Sequence, residues 1–154
     1  MNTLPTVFIT GASSGIGATY AERFARRGHD LVLVARDRSR LDNLAARLRE
    51  ESHVAADVLQ ADLTSPADLS ALETRLRDDA RIGILINNAG MAQAGGFLEQ
   101  TAEDIDTLIT LNTTALTRLA AAVAPRFAQS GTGAIVNIGS VVAEMAKRPS
   151  FNPT

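Results

Sequence analysis

The sequence predicts an α/β fold, a doubly wound parallel sheet with helices on both faces, and three observations carry that prediction. Short apolar runs rich in β-branched residues alternate with stretches whose apolar residues recur at helical spacing, an order that implies right-handed βαβ crossovers. The run Leu31–Ala35 is apolar at every position, as suits a parallel strand covered on both sides rather than a half-exposed one. The first apolar run breaks at Gly11 into a glycine-spaced turn that leads at once into a helical pattern. At 154 residues the chain fits one domain with an ordinary core.

Each element has a local reason. Val7, Phe8 and Ile9 form the first strand, and Ala18, Ala21, Phe24 and Ala25 mark the helix after it, which Gly28 stops. After the second strand, Leu31–Ala35, Asp37 is placed to cap a helix with the stripe Leu41, Leu44, Ala45 and Leu48. Its charged residues Arg47, Arg49, Glu50 and Glu51 form the solvated side. A third strand falls within 54–61, and Ser65-Pro66 supplies a cap and first residue for a helix bearing Leu69, Leu72 and Leu76. The fourth strand, 82–86, ends in Asn87-Asn88-Ala89-Gly90, and a loop through Gly95 and Gly96 follows. Thr101 and Asp104 then form a capping-box start to the longest helix, whose stripe is Ile105, Leu108, Ile109, Asn112, Leu116 and Leu119. Gly131 and Gly133 lead to a fifth strand, 134–138, closing on Gly139-Ser140. With strand order 3-2-1-4-5 the fifth strand is a hydrophobic sheet edge, which proteins normally cover. Residues 141–154 have no clear partner element.

Composition removes several classes of function. Net charge is −2 with mixed signs, so there is no basic stripe for nucleic acid. Cysteine is absent, which removes disulfides, thiolate catalysis and Cys-based metal sites; His29 and His53 lack ligand spacing, so no metal is expected. No apolar run approaches the roughly 20 residues of a membrane span, so no membrane partner is expected and the cytoplasm is the expected location.

The glycine corner is an anion site by construction. A helix N-terminus leaves its first N–H groups unpaired and carries about half a positive charge, and glycines let a phosphate approach the backbone. Three templates compete for it. A Walker A loop needs a lysine, and none lies here. Gly11-Ala12-Ser13-Ser14-Gly15 also fits the nucleophile elbow of serine hydrolases, with Ser13 as nucleophile. That reading needs an acid and then a late histidine, and both histidines come too early. A dinucleotide-binding turn is the third.

Thr10-Gly11-x-x-x-Gly15-x-Gly17, then Asn87-Asn88-Ala89-Gly90, then Ser140 after the fifth strand, together resemble the short-chain dehydrogenase/reductase family over essentially the whole chain. The resemblance implies a Rossmann-type fold, a nicotinamide cofactor and hydride transfer to or from a small carbonyl or alcohol substrate. It implies a cofactor site built from Thr10, Gly11, Ser13, Ser14, Gly15, Ile16 and Gly17, from Asp62 and Leu63 near the adenine, and from Asn88, Ala89 and Gly90. An acidic residue at the end of the second strand suits the ribose of NAD, and an arginine suits the phosphate of NADP. Here Ala35 holds the usual acidic position and Arg36 follows, so NADP(H) is expected over NAD, although Asp37 is adjacent. Ser140 resembles the serine that hydrogen-bonds the substrate oxygen. Asn112, polar on an apolar stripe, needs partners, because an unpaired buried amide costs about 1–3 kcal/mol. A backbone carbonyl would serve, and the resemblance implies a relay water as well. Similar proteins pair through the long helix, so the full-length form is expected to be a homo-oligomer.

One part of the family pattern is missing. The general acid/base tyrosine of Y-x-x-x-K relies on the lysine to lower a pKa otherwise near 10. The one tyrosine here is Tyr20, followed four positions later by Phe24, and the one lysine is Lys147. The expected domain, 1–154, therefore reads as an NAD(P)-binding unit truncated after the fifth strand, the front of a longer reductase, able by itself to bind cofactor at best. The alternative is a naturally short, non-catalytic nucleotide-binding module; the uncovered fifth strand favours the first.

Overall fold

The computed structural model describes residues 4–93 and 97–140; Gly95, Gly96, Lys147 and the rest of 141–154 lie outside the described residues. Five parallel strands form one sheet in the order β3-β2-β1-β4-β5, the order expected. They are β1 Thr6–Thr10, β2 Leu31–Ala35, β3 Ala56–Gln60, β4 Ile82–Asn87 and β5 Ala134–Asn137. The helices are α1 Gly15–Ala25, α2 Arg38–Ser52, α3 Pro66–Asp78, α4 Ala102–Ile109 and α5 Leu116–Ser130. No described helix is long and apolar enough to cross a membrane.

Strand pleat divides the core in two. Val7, Ile9, Leu31, Leu33 and Ile86 point to one face and pack with Ala21 and Ala25 of α1 and Leu41, Leu44 and Leu48 of α2. Phe8, Val32, Val34 and Leu85 point to the other and pack with Leu69, Leu72 and Leu76 of α3 and Leu119, Val123 and Phe127 of α5. Because β1 and β2 are covered on both sides, every one of their positions from Val7 to Val34 that faces the core must be apolar, which is why these runs do not alternate. At the edge, Ile135 of β5 remains 37% exposed.

The helix caps follow the sequence. Asp37 accepts from the Arg40 amide (3.0 Å), Ser65 from the Asp68 amide (3.3 Å), and Thr101 and Asp104 bond each other's backbone N–H reciprocally (3.1 and 3.0 Å). α2 ends on His53 in the left-handed region, φ +55°, a conformation that favours glycine.

The predicted longest helix is present as α4, a π segment and α5 in one unbroken run, and its stripe is corrected. Between α4 and α5 the backbone makes a π turn over Thr110–Ala115, and the extra residue rotates the helix face. The stripe drawn at uniform spacing therefore does not survive the turn: Ile109 is 51% exposed, and full burial begins at Ala115.

Asp79, just after α3, holds the entry to β4. It accepts from Arg81 through the backbone N (3.1 Å), Nε (2.9 Å) and Nη2 (2.7 Å), and from Arg75 Nε (3.1 Å). The Arg81 side-chain bonds lead in lowering its carboxyl from 3.8 to about 2. A folded-state value below the unfolded one means stabilisation that is complete above about 3.8 and lost as pH falls through about 2. Arg81 is 63% exposed and water screens the pair, so Asp79→Asn should cost about 1 kcal/mol near neutrality. Urea midpoints across acid pH should show that difference shrinking toward zero near pH 2; a gap independent of pH would refute this role.

Candidate functional site

The functional corner forms where β1 ends. Gly11 takes φ +66° and Gly15 φ +54°, conformations that disfavour any side chain. The glycines have separate jobs. A Cβ on Gly17 would lie 2.3 Å from the Gly11 carbonyl oxygen and 2.5 Å from Asn88 Nδ2, so Gly17 lets α1 seat directly on the turn. A Cβ on Gly15 would meet nothing within 4 Å and would project into open space.

The N-terminus of α1 differs from those of α2, α3 and α4. Ser14 occupies its cap with extended backbone but makes no side-chain cap bond, whereas the other three are capped by Asp37, Ser65 and Thr101. The first amides of α1 and its positive dipole end are thus left facing the cleft.

That cleft, about 720 Å³, runs along the carboxyl ends of the strands, where the chain changes winding direction between β1 and β4. Gly11, Ser13, Ser14, Gly15 and Ile16 line it at the corner; Arg36, Asp62 and Leu63 line it at one end, and Asn88, Ala89 and Gly90 at β4. Two of the sequence-predicted cofactor residues, Thr10 and Gly17, do not line it but build it, and Asn112 and Ser140 do not line it either. The Thr10 hydroxyl is 1% exposed in its residue, accepts from the Asn88 and Ala89 amides (both 3.0 Å) and donates to the Ile86 carbonyl (3.4 Å). Asn88 Nδ2 donates to the carbonyls of Thr10 (3.1 Å) and Gly11 (3.2 Å), clamping the turn to β4. Asn87 donates to Asn137 Oδ1 (3.0 Å) and the Leu116 carbonyl (3.2 Å), joining β4, β5 and the start of α5.

Arg36 extends from the end of β2 with no ion-pair partner within 4 Å among the described residues, while its backbone carbonyl accepts from Gln60 Nε2 (3.1 Å). Asp62 is both a turn residue and a cleft residue. Its Oδ1 accepts from the Thr64 amide (2.9 Å) and hydroxyl (2.7 Å), and these bonds, ahead of the nearby Arg36 charge, hold its carboxyl below the ordinary range. It is an ionised acceptor at neutral pH.

Asn112 lies in the π turn and is half-buried rather than on a buried stripe. Its amide makes a reciprocal pair with the Met91 backbone: Oδ1 accepts from Met91 N (2.9 Å) and Nδ2 donates to Met91 O (2.7 Å). The backbone answer to its polarity is therefore present, and it fixes the loop after β4. Ser140 follows β5 at the same edge of the sheet as the glycine corner and is exposed.

Sequence reasoning missed Arg40, Thr64, Met91, Thr107 and Leu111, which also line the cleft. Arg40 had a signal, since the residue three after a cap shares the cap's side of the helix; Leu111 had none, because it lies in the π turn, and Thr107 sits on α4 just before that turn. The hydrolase alternative fails on placement. His29 and His53 precede β2 and β3 and so sit at the amino ends of the strands, opposite Ser13, with His29 Nδ1 2.7 Å from the Pro5 carbonyl.

A parallel sheet in this order, with a glycine corner at its switch point, defines a Rossmann-type α/β domain. The family model for short chain dehydrogenases matches residues 5–151, and the chain belongs to that family. It is 36% identical over 145 residues to oxidoreductase UcpA of Salmonella typhimurium, covering 94% of this chain and 54% of that protein. Two solved structures superpose closely. A short-chain dehydrogenase from Sphingobium yanoikuyae in complex with NADPH is 82% identical with a TM-score of 0.92, covering 94% of this chain and 56% of that one. A bulky-bulky ketone specific alcohol dehydrogenase from Comamonas testosteroni is 69% identical with a TM-score of 0.93, covering 96% and 59%. The chain thus spans about half the length of these relatives.

Proposed function

We propose that this chain is the NADP(H)-binding part of an oxidoreductase that exchanges a hydride between nicotinamide and a small carbonyl or alcohol substrate. The observation that carries the reading is the uncapped α1 N-terminus opening on a cleft whose β2 end presents Arg36, unpaired among the described residues. The residues fit the dinucleotide: amides of Gly15 and Ile16 for the pyrophosphate, Ser13 and Ser14 hydroxyls beside them, and Arg36 for the ribose phosphate. Asp62, acceptor only, suits the adenine amino group, with Leu63 against the ring. Asn88, Ala89 and Gly90 form the wall of the cleft beyond the pyrophosphate, and Thr10 and Gly17 keep the corner closed. The NADPH in the 82% identical Sphingobium structure supports the cofactor, and the ketone in the name of the Comamonas relative supports the substrate class.

The bound nicotinamide supplies or accepts the hydride. In this reading Ser140 donates a hydrogen bond to the reacting oxygen of the substrate. Asn112 keeps one N–H and one lone pair beyond its Met91 pair, enough to orient a relay water while it holds the loop. The protein acts in the cytoplasm, on small molecules rather than nucleic acid or membrane, as a homo-oligomer in its full-length form.

The test is a fluorescence titration of the protein with NADPH and with NADH. NADPH should bind at least about ten-fold more tightly, the effect of one charge-assisted phosphate contact. Equal affinities would overturn the NADP reading, and binding of neither would overturn the cofactor reading.

A further inference from the structure

The end of the cleft that would receive a ribose phosphate holds more charge than Arg36. Asp37 and Asp62 both line it, and Arg40 lines it from the first turn of α2. Taken with Arg36 alone, two carboxylates would outnumber the cation, a poor setting for a phosphate monoester that carries about −1.5 to −2 at neutral pH. Arg40 restores the balance.

Its placement is specific. Both oxygens of Asp37 engage Arg40: Oδ1 accepts from its backbone N (3.0 Å), and Oδ2 lies 3.3 Å from its Nε. The side chain is thus held at its stem on the cleft side of the helix. Nε faces the Asp37 carboxylate, and the two Nη groups, with four of the five guanidinium N–H bonds, are left to reach outward. The intervening Arg38 does the opposite. Its Nε pairs with Asp42 at 2.8 Å, one turn along α2, and it does not line the cleft. Within three residues the sequence therefore sets one arginine toward the cleft and one away from it.

We propose that Arg40 is a second cation for the ribose phosphate of the dinucleotide, acting beside Arg36 and oriented by Asp37. The proposal rests on the NADP reading above and deepens it: Asp37, adverse to a phosphate when considered alone, becomes the bracket that orients the second guanidinium. A purely structural role, a cap-side ion pair on α2, would affect all nucleotides alike.

Arg40→Gln and Arg38→Gln remove the same charge two positions apart, both from exposed sites on α2. NADPH and NADH dissociation constants should be measured by fluorescence titration for both variants and the parent. Arg40→Gln should raise the NADPH constant about five- to ten-fold and leave NADH within about two-fold, and Arg38→Gln should leave both constants within about two-fold. An unchanged NADPH constant in Arg40→Gln, an equal weakening of both nucleotides, or the same loss in Arg38→Gln would overturn the role given to Arg40. A parent protein that does not prefer NADPH would instead overturn the NADP reading on which the role depends.

Discussion

Gly17→Ala should lose measurable dinucleotide binding and about 2–3 kcal/mol of stability. The added Cβ would stand 2.3 Å from the Gly11 oxygen, 2.5 Å from Asn88 Nδ2 and 2.8 Å from the Gly11 carbonyl carbon. None of these yields freely. Two are backbone, and the third is an amide already committed to the Thr10 and Gly11 carbonyls. Relief requires α1 to lift from the turn or the Asn88 clamp to open, and either displaces the helix amides from the cleft. Gly15→Ala is the informative contrast. Its methyl meets nothing within 4 Å, so the cost is the left-handed backbone at φ +54°, about 1–2 kcal/mol. Urea denaturation should rank Gly17→Ala as the more destabilised; the reverse order would show that the turn accommodates a Cβ that the packing forbids.

Arg36→Ala should weaken NADPH binding by ten-fold to over a hundred-fold while leaving NADH within about two-fold. That range corresponds to about 1.5–3 kcal/mol for a charged hydrogen-bonded contact. The fold should not suffer. Arg36 is exposed, makes no ion pair among the described residues, and its link to β3 runs through its backbone carbonyl, which alanine retains. Asp62 should also stay ionised, because the Thr64 hydrogen bonds, more than the Arg36 charge, keep its carboxyl low. Titrations of parent and variant with both nucleotides separate the outcomes. If both nucleotides weaken equally, the arginine serves the cleft rather than the phosphate.

Much of this was legible in the sequence because it obeys local rules. Asp37, Ser65 and Thr101 cap helices through their own side chains, the unbroken apolar runs require a sheet covered on both sides, and the glycine spacing marks a strand-to-helix corner. What stayed hidden depends on residues far apart in the chain. The π turn at Thr110–Ala115 breaks a periodicity that looks continuous in the sequence, and the partner of Asn112 within it is Met91, 21 positions away. Thr10 reads as the last residue of a strand, yet it is a brace because the amides of Asn88 and Ala89 come to it across the sheet. Arg40 was obscured by its neighbours: in a segment with arginines at 36, 38 and 40, its spacing from the Asp37 cap was a faint signal that the three-dimensional pairing makes plain.

In the proposed complex the α1 amides receive the pyrophosphate and Arg36 the ribose phosphate. Two-dimensional NMR of isotopically labelled protein, titrated with NADP, tests both at once. The backbone amides of Gly15 and Ile16 and the side-chain Nε–H of Arg36 should show the largest shifts, saturating with one common affinity. Shifts concentrated elsewhere, for example in the groove between α3 and α5 lined by Glu73, Arg77 and Arg118, with the glycine corner unmoved, would contradict it.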